Sequence, residues 1–497
     1  MRSNATRQSA ENPRWTKEKL KRHFDGSADV VVKICEFGEP PGSAAVMLVY
    51  EFGLCDTRQI HEAVLPELEL YYERPDAREH PSERLGAMLH LTPLDIDATP
   101  EEVDEAVFQG DLLLLFVEEE ALYTISLANS PRRTPAESST EISIKGPKDC
   151  FIEDVVTNVA LIRKRIRSQS LRVENFTLGR RTRTRAALLY FYDIANPDQL
   201  DHVRRKLREI DTDGVYSINQ LEEWLVGSKF KIFPLIDFTG RPDYTITSLL
   251  AGRFVIVLDG NPMVLVGPAG LSLILKSPED VHFNYSYVSF ARAIRGFSLF
   301  LSIFLPAIWV ALASFHQDQI PFRIMATVSM SRLGLPFSSQ FEMFILLILL
   351  EIFREAGVRL PSSIGQTLTS IGGLIIGDAA IRAGLVSPSV VVVGAVTAVS
   401  GVTLVNQSLS TVVSILRLFF FIMSTFLGMY GVILGMVILV GFMSQLKSFG
   451  VAYLAPLSPL RVRDVLVAFL RVPWSFIRKR PASLNGLDDD HEGEGKP

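Results

Sequence analysis

The 497-residue chain is 48% hydrophobic and 21% charged, with a formal net charge of −5 at pH 7. Its length exceeds one ordinary domain, and its apolar residues are unevenly spread: the chain is charge-rich up to about Tyr287 and almost continuously apolar from Phe297 to Leu446. No basic strip interleaved with aromatics marks a nucleic-acid binder, and three scattered cysteines (Cys35, Cys55, Cys150) argue against a disulfide framework and for a reducing compartment.

Residues 1–28 are polar and read as a disordered tail with one short helix between Thr16 and Phe24. The first nine residues lack an apolar core and do not read as a secretory signal. A strand is expected at Asp29–Glu36 and a stronger one at Ala44–Tyr50, whose unbroken apolar run suits a strand buried on both faces. Asp56 is an N-cap candidate for a helix that places Ile60, Ala63, Val64 and Leu68 on one face. Gly110–Val117 and Ala121–Leu127 read as paired strands around Glu118–Glu120.

The plan then recurs. Ala186–Tyr192 echoes Ala44–Tyr50 at an offset of 142, Asp198 echoes Asp56, and Gly252–Leu258 echoes Gly110–Phe116 at the same offset. This periodicity predicts a duplication: two α/β subdomains at 29–130 and 172–287, joined over 131–171 by a Pro/Ser-rich loop and a bridging helix from Phe151 to Ser168.

From 288 to 446 the pattern changes to long apolar runs, read as a membrane domain of about four spans plus a broken or re-entrant segment near 336–361. Phe297–Phe315 is the first span. Gly372, Gly373, Gly377, Ala379 and Ala380 would let helices pack closely. The stretch Val412–Leu446 is too long for one untilted span, so Gly428, Gly431 and Gly435 mark either a hairpin or a close packing face. A basic interfacial tail (447–480) and a disordered acidic tail (481–497) close the chain. Arg292, Arg295 and the basic tail put both terminal regions on the cytoplasmic face by the positive-inside rule.

Charges inside the apolar block carry the functional reading. Only eight apolar residues separate Glu342 from Glu351, and Arg354, Glu355 and Arg359 follow within one short stretch. Ionisable groups at membrane depth cost at least about 2.5–3.5 kcal/mol each unless they meet a partner or water. Two readings stand: a broken helix lining a wet route, or a helix ending at the surface with its charges in headgroup water. Asp378 either lines water or pairs with Arg382 four residues on.

Elsewhere, Asp211, Asp213 and Gly214 imitate a calcium loop, but Gln220 stands where a bidentate Glu is needed, and an ordinary turn is the preferred reading. The basic run Arg180–Arg185 reads as a solvated edge before a strand, with anionic lipid as the alternative. Phosphate loops, metal-ligand spacings and nucleophile–base pairs are not legible, so no enzyme, metal or cofactor is expected.

Several strings together resemble one family, the A subunits of GerA-type spore germinant receptors. They are Gly146–Glu153 with Thr157, Asn158 and Leu161–Arg165, then Gly179–Thr184, Arg241–Asp243 and Gly252–Arg253. In the apolar half they are Phe315–Pro321, Arg354–Pro361, Gly365–Gln366, Ser448–Tyr453 and Pro456–Pro459. The resemblance runs from about 30 to 481. Where the family carries Thr-Glu-Arg-Pro-Asp this chain has Gly240; Leu347 replaces a frequent Glu, and Asp378 a frequent Gln.

The resemblance implies a multi-pass protein of the bacterial spore inner membrane that works with a transporter-like B subunit and a lipoprotein C subunit, as a homo-oligomer of A subunits. It implies that nutrient recognition opens or gates a cation pathway; the alternative is a non-conducting, signal-transducing scaffold of the same complex. Glu342, Glu351, Gln366 and Asp378 are the expected pathway or gating residues, with Arg354, Glu355 and Arg359 as pairing groups. A secondary transporter would show inverted repeats, and none is legible in the apolar half.

Overall fold

A computed structural model describes residues 14–37, 44–73, 85, 89–129, 141, 143–227, 232–358, 378–473 and 479–490. Helix α1 (Lys17–His23) starts where the Thr16 hydroxyl accepts from the Lys19 amide, and strands β1 (Val30–Phe37) and β2 (Ala44–Glu51) follow. Helix α2 begins at Thr57 under an Asp56 cap, passes through a π-turn at Ile60–Val64 and ends at Glu73. That wider turn leaves Ile60, Val64, Leu68 and Tyr71 inside and puts Ala63 outside, off the expected face. Strands β3 (Thr92–Leu94), β4 (Asp111–Phe116) and β5 (Ala121–Ser126), with helix α3 (Pro100–Gln109) before β4, complete the first sheet in the order β1-β2-β4-β5-β3.

Every ladder in that sheet is antiparallel. The expected α/β mixture of elements is present, but the doubly buried run of β2 belongs to an antiparallel sheet. Val46, Leu48 and Tyr50 face a core with Val64 and Leu68, while Met47 and Val49 face another with Leu20, Val103 and Val107. Helices on both faces bury both registers of the strand, so burial alone could not tell parallel from antiparallel.

The second sheet repeats the arrangement as β6-β7-β9-β10-β8, again antiparallel. Its strands are β6 (Leu171–Leu178), β7 (Thr184–Phe191), β8 (Asp237–Thr239), β9 (Phe254–Leu258) and β10 (Val264–Gly267). The helices around it are α4 (Val155–Arg163), α5 (Pro197–Arg208), α6 (Ile218–Val226) and α7 (Pro242–Leu250). Helices α3 and α7 both start on a proline and stop before a left-handed glycine, Gly110 (φ +98°) and Gly252 (φ +93°). A Cβ on Gly110 would lie 2.7 Å from the Leu54 carbonyl, so this corner excludes other residues twice over.

The ladders refine the repeat. Leu113 pairs with Val49, and Val255, 142 residues after Leu113, pairs with Leu189, which is 140 after Val49. A slip of two residues keeps every side chain on its own face.

Arg163 at the end of α4 ties the two sheets together. Helix α4 packs on the second sheet through Val155, Val159 and Ile162. The fully buried Arg163 guanidinium reaches back to Asp29 beside β1 (Nε–Oδ2 2.5 Å, Nη2–Oδ1 3.1 Å). It also donates to the Ser168 and Leu171 carbonyls and lies 4.3 Å from the Phe108 ring.

Among the described residues the helical half contains α8 (Tyr285–Ser314), α9 (Phe322–Ser331), α10 (Ser339–Val358), α11 (Pro388–Val402) and α12 (Gln407–Gln445). Among the described residues two helices, α8 and α12, are long and apolar enough to cross a membrane, fewer than the expected four or so. At Gly428 (φ +59°, ψ −141°) α12 is not helical, and its limbs 407–427 and 429–445 fold against each other. A Cβ on Gly435 would lie 2.8 Å from the Phe420 ring, and one on Gly431 would strike the Met423 carbonyl. Residues 420 and 435 of a straight helix would be about 22 Å apart. Of the two sequence readings, the hairpin is the one formed.

The first limb runs parallel to α8: Phe304 and Phe420 rings are 4.5 Å apart, Ser424 Oγ donates to the Ala307 carbonyl at 2.5 Å, and Gly428 lies against Phe315. Phe297, Val399, Phe426, Ile433 and Val437 project outward from these helices and are largely exposed.

Two further expectations are revised. The segment near 336–361 was expected to break, yet α10 runs unbroken for 20 residues through Glu342 and Glu351. The acidic tail from 481 was expected to be disordered, yet residues 479–490 lie on the second sheet unit. Leu487 N donates to the Ile194 carbonyl at 2.9 Å, Gln199 Nε2 donates to the Leu484 carbonyl at 2.9 Å, and Leu484 is buried. A leucine and free backbone groups suffice to dock a segment whose composition is otherwise polar.

Candidate functional site

Glu342 lies in the first turn of α10 and is fully buried. Its Oε2 accepts from the backbone amide of Ser387, the residue that opens α11, at 2.9 Å. The positive end of α11 therefore faces the carboxylate. Its Oε1 lies 3.4 Å from Arg332 Nε, and neither of those atoms has a hydrogen-bond partner among the described residues; the buried Ser339 hydroxyl is in the same position. Arg332 also lines a cleft of about 230 Å³ together with Ala313, Gln317, Ile320, Met325, Val328 and Ser329. Helix α9 forms one side of that cleft and buries none of its residues.

Glu351 lies on the opposite face of α10, nine residues and so about 2.5 turns further on. Arg354 one turn later bonds its Oε1 through Nε (3.0 Å) and Nη2, and Arg417 Nη2 bonds its Oε2 at 3.1 Å. Arg417 also donates to Ser414 Oγ at 3.1 Å and is almost wholly buried. A helix can run unbroken through Glu351 because two guanidiniums compensate it. Sequence reasoning overlooked Arg417, although it is the single charged residue in the 39 of α12, a signal of the kind that marks function or pairing in apolar helices.

Asp378 pairs with Arg382 at 2.8 Å on an exposed helical turn, the second of its two sequence readings. Glu355 is exposed beside Arg354. Gln366 and Arg359 lie outside the described residues. The structure thus separates Glu342, Glu351 and Asp378 instead of gathering them at one point.

A second polar zone joins the sheets to the helices, again overlooked from sequence although Arg241–Asp243 belongs to the strings quoted above. Asn406 N-caps α12 by accepting from the Leu409 amide at 3.0 Å, while its amide donates to Asp237 Oδ1 at 2.7 Å. The Tyr244 hydroxyl donates to Asp237 Oδ2 at 2.7 Å. Burial holds the Asp237 carboxyl above the usual carboxylate range. Next to it, Arg241 donates to Asp243 (Nη2–Oδ2 2.7 Å) and to Glu279, and His282 Nε2 lies 2.8 Å from Asp243 Oδ2. Although burial opposes it, these bonds hold Asp243 below the ordinary range. Asp280 is likewise held low, against its burial, by Arg295 (2.7 Å) and Arg292 (2.8 Å) at the start of α8.

The calcium-loop imitation is a turn. Asp211 and Asp213 face Arg180 (2.7 Å) and Arg181 (3.5 Å), so the acidic loop and the basic run neutralise each other at the surface. Among the described residues no group of three or more His, Cys, Asp or Glu is placed to hold a metal ion.

The chain is 39% identical to spore germination protein XA of Bacillus anthracis over 473 residues, 95% of this chain and 96% of the relative. It is 31% identical to the uncharacterized membrane protein YfkQ of Bacillus subtilis (strain 168), over 98% of this chain and 94% of the relative. The crystal structure of the N-terminal domain of the A subunit of the Bacillus megaterium spore germinant receptor GerK3 is 28% identical; it covers 51% of this chain and 94% of that domain, with a TM-score of 0.37. Residues 18–483 match the Bacillus/Clostridium GerA spore germination protein family, and the chain belongs to that family.

Proposed function

We propose that this chain is the membrane-embedded A-type subunit of a nutrient-responsive spore germination receptor, and that its helical half forms or gates a cation pathway between copies of the chain. In this reading α8 and the two limbs of α12 cross the bilayer, and a return crossing through α10 and α11 makes the number even. The sheets and the segment after α12 share the cytoplasmic side, and a transporter-like B subunit and a lipoprotein C subunit complete the receptor. The observation that carries the reading is Glu342: a fully buried carboxylate in an apolar helix, one oxygen left without a hydrogen bond, beside a cleft that reaches Arg332. Such a group is costly in hydrocarbon unless water or a cation completes its shell.

The pairing of Glu351 favours a second reading. With Arg354 and Arg417 both on its carboxylate, Glu351 is compensated by two guanidiniums and holds α10 to the first limb of α12. A subunit in which Glu351 serves this packing alone transduces without conducting.

Currents across planar bilayers containing the purified chain separate the two. Conduction that falls at least tenfold in Glu342→Gln supports the pathway; a chain that never conducts, in spores that still germinate, refutes it. Glu351→Ala with normal protein levels should abolish nutrient-triggered ion release under both readings, so normal release would remove Glu351 from the machinery.

A further inference from the structure

Where α8 leaves the second sheet, positive charge outnumbers negative in a largely buried space. Lys276, Arg292, Arg295 and Arg471 surround one carboxylate, Asp280. Arg292 and Arg295 bond its two oxygens at 2.8 and 2.7 Å, and their spare donors reach the carbonyls of Ala468 (3.2 Å) and Leu275 (3.3 Å). Arg471 donates to the backbone carbonyl of Asp280. Glu279, the adjacent acid, is taken by Arg241. The Lys276 ammonium makes no hydrogen bond or ion pair to another described residue; burial and the neighbouring Arg292 push it down to about 7. Uncompensated buried charge of this kind is strongly unfavourable.

We propose that this cluster is a phosphate-binding site that takes the phosphodiester headgroup of an anionic lipid at the cytoplasmic surface. Guanidinium forks and a lysine ammonium are the donors that suit phosphate oxygens, and basic pockets beside the cytoplasmic ends of spans collect anionic headgroups. A second observation points to lipid. Helix α13 (Val462–Phe469) covers the cluster, with Arg292 bonded to Ala468 and Ser289 to the backbone of Arg471, and turns Val462 and Leu466 outward, with Leu460 and Leu470 exposed beside it. An apolar fringe beside a cationic pocket is the profile of a headgroup-level element. The lipid source rests on the membrane reading above, whereas the phosphate chemistry does not.

The test measures the thermal midpoint of the full chain in nanodiscs of phosphatidylcholine, in the same discs with phosphatidylglycerol, and in detergent with inorganic phosphate. Phosphatidylglycerol should raise the midpoint by several degrees in the natural chain. Lys276→Gln should lose at least half of that gain, Lys276→Arg should keep it, and Arg471→Gln serves as a second deletion of charge. An equal gain from inorganic phosphate in detergent assigns the site to free phosphate. No gain in any medium, or an undiminished gain in Lys276→Gln and Arg471→Gln, overturns the proposal. A chain that fails to enter nanodiscs yet responds to inorganic phosphate would sink the membrane reading and leave the site standing.

Discussion

Replacing Arg163 with Met should destabilise the two-sheet region more than any single substitution on its surface. The guanidinium is fully buried and makes four hydrogen bonds, two to Asp29 and one each to the Ser168 and Leu171 carbonyls. Methionine fills much of the volume but leaves the nearly inaccessible Asp29 carboxylate without its partner. Breaking one side of such a pair costs about 3–5 kcal/mol. For a cooperative unit of about 150–250 residues, each kcal/mol moves the midpoint by about 2–4 °C, so a loss of about 6–20 °C is expected. Thermal unfolding of the full chain followed by intrinsic fluorescence reads it. The double variant Asp29→Leu, Arg163→Met should recover most of the loss, because two apolar groups of similar size replace a pair whose desolvation was costly. A shift below about 2 °C for the single variant, or a double variant as unstable as the single, refutes the idea that this pair clamps the sheets.

Three other outcomes are expected. Glu51 is pushed up to about 8 by burial, with the nearby Asp29 charge adding to it, so the folded chain keeps a proton there that the unfolded chain gives up near 4.5. Stability should therefore fall as pH rises through that window, and Glu51→Gln should flatten the slope in midpoints measured from pH 5 to 8. Cysteines at 420 and 435 should be joined by a short thiol cross-linker, since the Gly428 fold-back brings them together; failure to cross-link would restore a straight helix. Asn406→Ala removes both an N-cap bond and the bond to buried Asp237. It should cost about 2–4 kcal/mol, visible as a lower midpoint, and an unchanged midpoint would dismiss the junction.

Local features were legible without coordinates wherever one or two turns of chain decide them. Asp56 caps a helix as expected, the short helix expected between Thr16 and Phe24 forms at Lys17–His23, Ala44–Glu51 is a doubly buried strand, and the glycines at 428, 431 and 435 form a hairpin, one of two readings open from sequence. Ala63 failed because a π-turn changed the period within its own helix. The docked tail was missed because its charged and glycine-rich surroundings hide the single leucine that anchors it.

What the amino-acid order settled by itself was the family, the division into a charged half and an apolar half, and a repeat of about 142 residues, because each is written in composition or in spacing along the chain. What only the tertiary structure decided was which polar groups compensate which buried charges. Asp29 meets Arg163 across 134 residues, Glu351 meets Arg417 across 66, and Asn406 meets Asp237 across 169. A buried charge requires a partner, but sequence states only the requirement. The antiparallel order of the strands and the packing of α8, α10 and α12 choose the partner, since hydrogen bonds act over about 3 Å and chain separation says nothing about that distance.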